Sequence, residues 1–541
     1  MRLKSGFALL LLCGLTLPAT AQVRGARGTH MRSAVINFRE LARQQAQRPA
    51  GVRGKKVDHP PMPGPGKFRV PAGVRGTDFP RAATVAAAPV PLVASPNPAV
   101  NFLALPDSNT SIPPDTHGAV GPNHLMVVLN TDVAVQDRTG AYLSAMPLES
   151  FWNSVGSPDT FDPKVLYDHL SGRWMFTAMA NSRSANSAVL MGVSQTNDPT
   201  GAWNLFSIDA DATDVNWADY PSMGYNKDWI VVNVNMFAVS NNAFADTKLY
   251  VFKKADLYNN AAPAATHTLF TTANGFTLVP AITYDAALAT MYLIDEGWSD
   301  NITDFVRIAT ITGTVGTEVF TEMGGFVGVN GTRWAGGPPI DNWAPQQNTA
   351  NKIMNNDSRI QNVVYRNDRL WTAHSVFLPL GGVTRTGVQW WEIDPTPTPS
   401  LVQRGRIEDA TNAFFFAYPS IAVNSAGDAL IGFSSFSGTQ FASASYAFRA
   451  AADAAGTTRD VLTFKAGEAT YFKTFSGSRN RWGDYSNTVV DPANDTDFWT
   501  IQEYAATPPG DGFDRWGTWW AKVVPSGAAA TKKREGQTTS E

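Results

Sequence analysis

From residue 101 onward, short apolar and aromatic runs alternate with clusters of Gly, Asn, Asp and Pro. Trp229-Ile230-Val231-Val232-Asn233-Val234 is one such run, Thr290 to Ile294 another, and Phe498-Trp499-Thr500-Ile501-Gln502-Glu503-Tyr504 a third. β-Branched and aromatic residues bounded by turn chemistry predict strands. Amphipathic helical stripes are scarce and only 16% of residues are charged, so the folded part reads as all-β.

The runs repeat. A short strand ends in Tyr or Val, Asp or Asn follows, and after a turn a second strand often opens with Trp or Phe. Pro163 to Asp168 precedes Trp174, and Pro221 to Asn226 precedes Trp229. Pro280 to Asp285, Pro419 to Asn424 and Ser486 to Asp491 follow the same plan, with looser copies at Ile360 to Tyr365 and His117 to Gly121. Asp or Asn at a strand end tolerates a left-handed turn and caps its amides with the side chain. Repeated sheet units arranged radially form a β-propeller. Seven blades are expected, with six as the alternative. Residues 485–490, 498–505 and 516–524 supply three strands of the last unit, and Val100 to Leu105 is expected to supply the fourth and close the ring.

The N-terminal part has a different texture. Arg2 and Lys4 precede an apolar run from Phe7 to Leu17, and Ala19-Thr20-Ala21 places small residues where a signal peptidase needs them. This predicts a signal peptide over 1–21, cleaved after Ala21, and a secreted, extracellular or periplasmic protein. The run is too short for a permanent span, and no membrane span is expected. Residues 22–100 hold 13 Lys and Arg against 3 Asp and Glu and include Pro60-Pro61-Met62-Pro63-Gly64-Pro65-Gly66. That segment reads as a basic, poorly structured propeptide or linker, with one short helix expected between Ile36 and Gln47. Residues 101–525 form the propeller domain and 526–541 a disordered tail.

Net charge is −3 overall, but the basic leader leaves residues 101–541 strongly acidic. Nucleic acid is therefore excluded as a partner, because phosphate binding needs clustered Lys and Arg on the folded surface. The one cysteine, Cys13, lies in the apolar run, so cleavage leaves a chain without disulfide, thiolate zinc site or cysteine nucleophile. A large core must then stabilise the fold unaided.

Pro113-Pro114-Asp115-Thr116-His117-Gly118-Ala119-Val120-Gly121-Pro122-Asn123-His124 and Arg481-Trp482-Gly483-Asp484-Tyr485-Ser486, with Val490-Asp491-Pro492 and Phe498-Trp499, resemble the opening and ending of uncharacterised secreted bacterial β-propellers of the sialidase-like neighbourhood. The Asp162-Pro163 unit with Trp174 is similar too. The resemblance implies a propeller fold and export, while activity has to be argued from a site. The Ser-x-Asp-x-Gly-x-Thr-Trp turn boxes of sialidases are absent. Arg359 and Arg481 lie at suitable positions for a carboxylate clamp, but no third arginine is evident.

Aligned on the repeats, the residues just before each inner strand gather at one mouth of the central channel. They are Asp115, Asp162, Asp219 and Asp484, Arg359 and Arg481, and the aromatics Tyr220, Tyr418 and Tyr485. The four aspartates are candidate ligands for Ca²⁺, which takes several oxygens. Asp162, Asp219 and Asp484 are candidate catalytic carboxylates, and the tyrosines and arginines candidate ligand-binding residues. Each Asp also has a purely structural use as a turn cap. Of the paired tryptophans Trp390-Trp391 and Trp519-Trp520, one of each is expected between blades and the other is available to stack on a sugar. The leading expectation is a monomeric carbohydrate-binding or surface-interaction protein, with a glycan, peptide or surface protein held at the acidic mouth. The alternative is a sialidase-like glycoside hydrolase or lyase using paired carboxylates there.

Overall fold

A computed structural model describes residues 22–47, 93–156, 159–273, 275–296, 302–303, 305–328 and 334–525. The expected signal peptide over 1–21, most of the expected linker over 22–100 and the expected tail over 526–541 lie outside these. Among the described residues, the strands form an all-β propeller built from seven antiparallel four-stranded units. Their inner strands are His117–Val120, Thr160–Asp168, Asn216–Tyr225, Val279–Thr283, Ile360–Arg366, Phe414–Val423 and Asn487–Val490. Each sequence repeat lands on one of them. Each inner strand touches the next, and the last returns to the first, so the inner strands form a closed ring. Between the third, fourth and fifth units adjacent inner strands even pair in parallel, Tyr225 opposite Ile282 and Ala281 opposite Val363.

The closing strand is β4 (Pro98–Pro106), which pairs with Arg515–Val523 and sets Phe102 opposite Trp520. The seventh unit is thus made from both ends of the domain. That locks the ring through backbone hydrogen bonds, a substitute for the missing disulfide. Tryptophans fill the wedges between units. Trp152, Trp174 and Trp203 pack with the first and second units, and Trp371 with Trp390 between the fifth and sixth. Trp482, Trp499 and Trp520 pack at the seam. Both Trp390 and Trp391 are fully buried, which corrects the expectation that one of them is free to stack on a sugar. Trp519 is half-buried and donates its indole N–H to Asn101 at 3.0 Å.

Residues 22–47 carry more structure than their composition announces. β1 (Gln22–Arg24), β2 (Ala26–Gly28) and β3 (Arg32–Asn37) each add a fifth strand to the outer edge of a unit, the fourth, third and second in turn. An outer strand otherwise presents unpaired N–H and C=O groups to solvent, so this strap satisfies three edges in succession. Helix α1 (Phe38–Ala46) follows, capped by Asn37 accepting from the Glu40 amide, and buries Phe38 against Phe151 at 5.8 Å between ring centres. The basic charge of this segment hid its edge-pairing role, because an outermost strand needs only one half-buried face.

Candidate functional site

The site begins with a backbone irregularity repeated around the ring. Asp162, Tyr220 and Tyr418 each precede a proline and have φ of 51°, 52° and 57°. The strand register slips beside each of them, between Thr177 and Met179, Asp219 and Ser222, and Ala417 and Ser420. Proline has no N–H for the ladder, and the neighbouring left-handed residue completes a bulge that re-aims side chains. Asp115, just before the first inner strand, is also left-handed at φ 52°. Such φ values are rare for bulky residues and persist only where the surroundings over-determine them.

These bulges, with the irregular segments leading into the first, fifth and seventh inner strands, bring all nine sequence candidates to the upstream end of the inner strands. One carboxylate oxygen each from Asp115, Asp162 and Asp484 lies within 4.8 Å of the others. The Asp162 carboxyl adjoins those of Asp115 and Asp219. Asn130 holds the group in place: its amide donates to Asp115 at 2.6 Å and to the Pro113 carbonyl at 3.0 Å, while its oxygen accepts the Asp162 amide at 2.8 Å. The Tyr220 amide donates to Asp162 at 3.1 Å. Arg481 pairs with Asp484, which also accepts from Asn356 at 3.0 Å. Arg359 forks onto Asp357 and lies 4.2 Å over the Tyr220 ring. The Lys164 ammonium sits 4.1 Å over the Tyr485 ring and 5.0 Å over that of Tyr220.

The tyrosine hydroxyls tie units together. Tyr220 donates to Gln361 and has the Asp484 carbonyl within reach, both at 3.3 Å. Tyr418 donates to the Met354 carbonyl at 2.6 Å and Tyr485 to the Pro163 carbonyl at 3.2 Å. The expectation of an open acidic mouth therefore meets a different geometry. Every one of the nine residues is buried, the most exposed being Asp484 and Arg481 at 6%.

Burial, followed by the charges of Asp484 and Asp162, pushes the Asp115 carboxyl well above its ordinary range. Burial and then Asp219 do the same to Asp162, and burial with Asp484 brings Asp219 up to about 6. Burial lowers Lys164 to about 8 against the pull of Asp162. His117 is held well below its usual value by burial and then Lys164, and its Nδ1 accepts the Val165 amide at 3.3 Å. It is therefore a neutral, anchored histidine. Lys164, Asn130 and Glu503 were missed in the sequence. Lys164 had a signal, since it follows the Asp162-Pro163 bulge directly. Glu503 had none: it sits on the second strand of the seventh unit, 4% exposed, with its carboxyl raised by burial and then by Asp115.

No protein-family model and no curated protein sequence matches the chain. Similar solved structures include a GH43 endo-arabinanase from Bacillus licheniformis, 18% identical over 53% of this chain and 96% of that one, with a TM-score of 0.28. A GH93 α-L-arabinofuranosidase of Fusarium graminearum is 8% identical over 78% and 97%, TM-score 0.36. A Trypanosoma rangeli sialidase is 9% identical over 73% and 58%, TM-score 0.34. The fold assignment rests on this chain's own strand pairing, which defines an all-β propeller with a closed, charged hub. Among the described residues no helix is long and apolar enough to cross a membrane.

Proposed function

We propose that this chain is an exported, non-catalytic propeller that binds a glycan, peptide or surface protein on the loop face above the hub, while the hub itself serves as a structural tie. Export rests on the sequence of residues 1–21. The observation that carries the non-catalytic reading is the inward commitment of the hub: the aspartates are buried, and the three tyrosine hydroxyls are spent within the propeller. A sugar ring entering this space meets Asp115, Asp162, Asp219 and Asp484 only as buried groups.

Glycoside hydrolysis is the second reading. It is favoured by Asp219, whose carboxyl at about 6 suits a general acid near neutral pH. Burial weighs against it: Asp162, Asp219 and Asp484 are all buried, whereas a retaining or inverting pair must reach the glycosidic bond from both sides. The test is a glycan array probed with the full chain, beside fluorogenic glycoside turnover by wild type, Asp162→Asn and Asp219→Asn. Capture on the array without turnover supports the binding reading. Turnover abolished by either substitution replaces it with hydrolysis.

A further inference from the structure

We propose that Asp115, Asp162 and Asp484 bind one calcium ion that clasps the propeller at its closing seam. This deepens the reading of the hub as a structural tie and rests on it. Asp115 lies between β4, the strand that completes the last unit, and the first inner strand; Asp162 belongs to the second unit; Asp484 leads into the last. Three carboxylates from the two sides of the junction thus converge where the ring is closed without a covalent link.

The geometry fits a large, hard cation. Calcium–oxygen bonds run about 2.3–2.6 Å, so two ligands on opposite sides of one ion are separated by about 4.6–5.2 Å. The three oxygens lie within 4.8 Å of one another, which lets a single ion touch all three. Their irregular protein cage suits calcium better than magnesium, which demands near-ideal octahedral geometry and retains several waters.

Charge points the same way. Asp115, Asp162, Asp219, Asp357, Asp484 and Glu503 face Lys164, Arg359 and Arg481, with Lys473 beside Glu503, as the neighbouring cations. With Arg359 forked onto Asp357 and Arg481 on Asp484, Lys164 faces the carboxyls of Asp115, Asp162 and Asp219, and one divalent ion would balance the two negative charges they carry in excess when ionised, taking the place of protons. Buried charges demand such compensation. An independent sign is Asp115 Oδ1, which is buried without a hydrogen-bond donor while its residue is 1% exposed. Buried polar atoms of this kind call for a partner. Asn130 takes Oδ2, and the Asp162 carboxyl adjoins Asp115, so Oδ1 is open to an ion once no proton is shared between the two carboxyls.

The test is equilibrium dialysis of the EDTA-stripped full chain against radiolabelled calcium, with thermal unfolding followed by tryptophan fluorescence. The expected result is one ion per chain and a Tm about 3–5 °C higher when calcium stands about a hundredfold above Kd. Asp115→Asn is expected to weaken calcium binding by about tenfold or more. In EDTA it is expected to melt no lower than wild type, because it removes a like charge. Should the variant fail to fold, terbium on the unmutated chain supplies the second readout: emission sensitised through Tyr485 and displaced by calcium supports the clasp. Equal Tm in EDTA and calcium without stoichiometric binding overturns it, and so does absence of sensitised emission. Calcium binding unaltered in a folded Asp115→Asn chain overturns it too. Loss of glycan capture with calcium retained would reject the binding reading alone.

Discussion

The two ends of the inner strands solve the burial of charge in opposite ways. At the downstream end Asp168 is fully buried and fully matched. It pairs with Lys254 at 2.6 Å, accepts the Tyr258 hydroxyl at 2.9 Å, and takes the Leu170 and Ser171 amides at 3.0 and 3.2 Å. At the upstream end carboxylates outnumber cations and one oxygen of Asp115 has no donor. A matched buried acid is structural and costly to remove. An unmatched cluster marks the place where something outside the chain, a proton or an ion, completes the structure.

The largest effect expected from this contrast is at the matched end. Asp168→Ala strands the Lys254 ammonium, 5% exposed as a side chain, and is expected to lower stability by about 3–5 kcal/mol, measured by urea unfolding. Asp115→Asn under the same conditions without calcium is expected to cost nothing, and an equal loss in both variants would erase the contrast.

Next comes Gly224→Ala. A Cβ there stands 2.5 Å from the Ala281 and Pro280 carbonyls of the adjoining inner strand. Both obstacles are backbone, so the two strands must part, at a cost of about 3 kcal/mol. No change in the urea midpoint would show that the inner ring yields more readily than its close approach implies.

His374 sharpens the comparison through pH. Its Nε2 accepts the Trp391 indole N–H at 3.0 Å, so Nδ1 donates to the Ser358 carbonyl, also at 3.0 Å. Burial first, and the Arg406 and Arg404 charges after it, lower the group to about 3. Its folded value lies below the unfolded one of about 6.5, so the unfolded chain binds the proton more readily as pH falls. This histidine therefore removes about 2 kcal/mol of stability between pH 7 and pH 5. His374→Phe is expected to be less stable at pH 7 yet to lose less than wild type on going to pH 5. A wild-type-sized loss in the variant would assign the acid sensitivity to other groups.

The smallest effect is at a hub tyrosine. Tyr418→Phe removes one hydrogen bond to the Met354 carbonyl and is expected to cost about 1 kcal/mol, with glycan capture unchanged. Loss of capture would make that hydroxyl a ligand contact.

How legible these features were in the sequence follows from their physics. The downstream ends carry a local signature, Tyr or Val followed by Asp or Asn, because a hairpin turn is specified by its own residues. Tyr167-Asp168 and Tyr225-Asn226 could therefore be read directly. The closing strand was legible too, since Asn487–Val490 and its neighbours lacked a fourth partner. The upstream hub was legible as a set of positions, through the prolines that follow Asp162, Tyr220 and Tyr418, but not as a buried cluster. Its depth depends on bulge geometry and on partners such as Asn130 and Glu503, which come from other strands. The strap at Gln22–Asn37 was hidden for a related reason: an outer strand is defined by the edge it meets.

The most direct test of the buried hub is carbodiimide labelling of carboxyl groups in the native chain, read peptide by peptide by mass spectrometry. The predicted result is protection of Asp115, Asp162, Asp219 and Asp484, with ready labelling of Asp341, whose side chain is 61% exposed. Labelling of the four hub aspartates as fast as Asp341 would contradict the account and return the channel end to an open mouth.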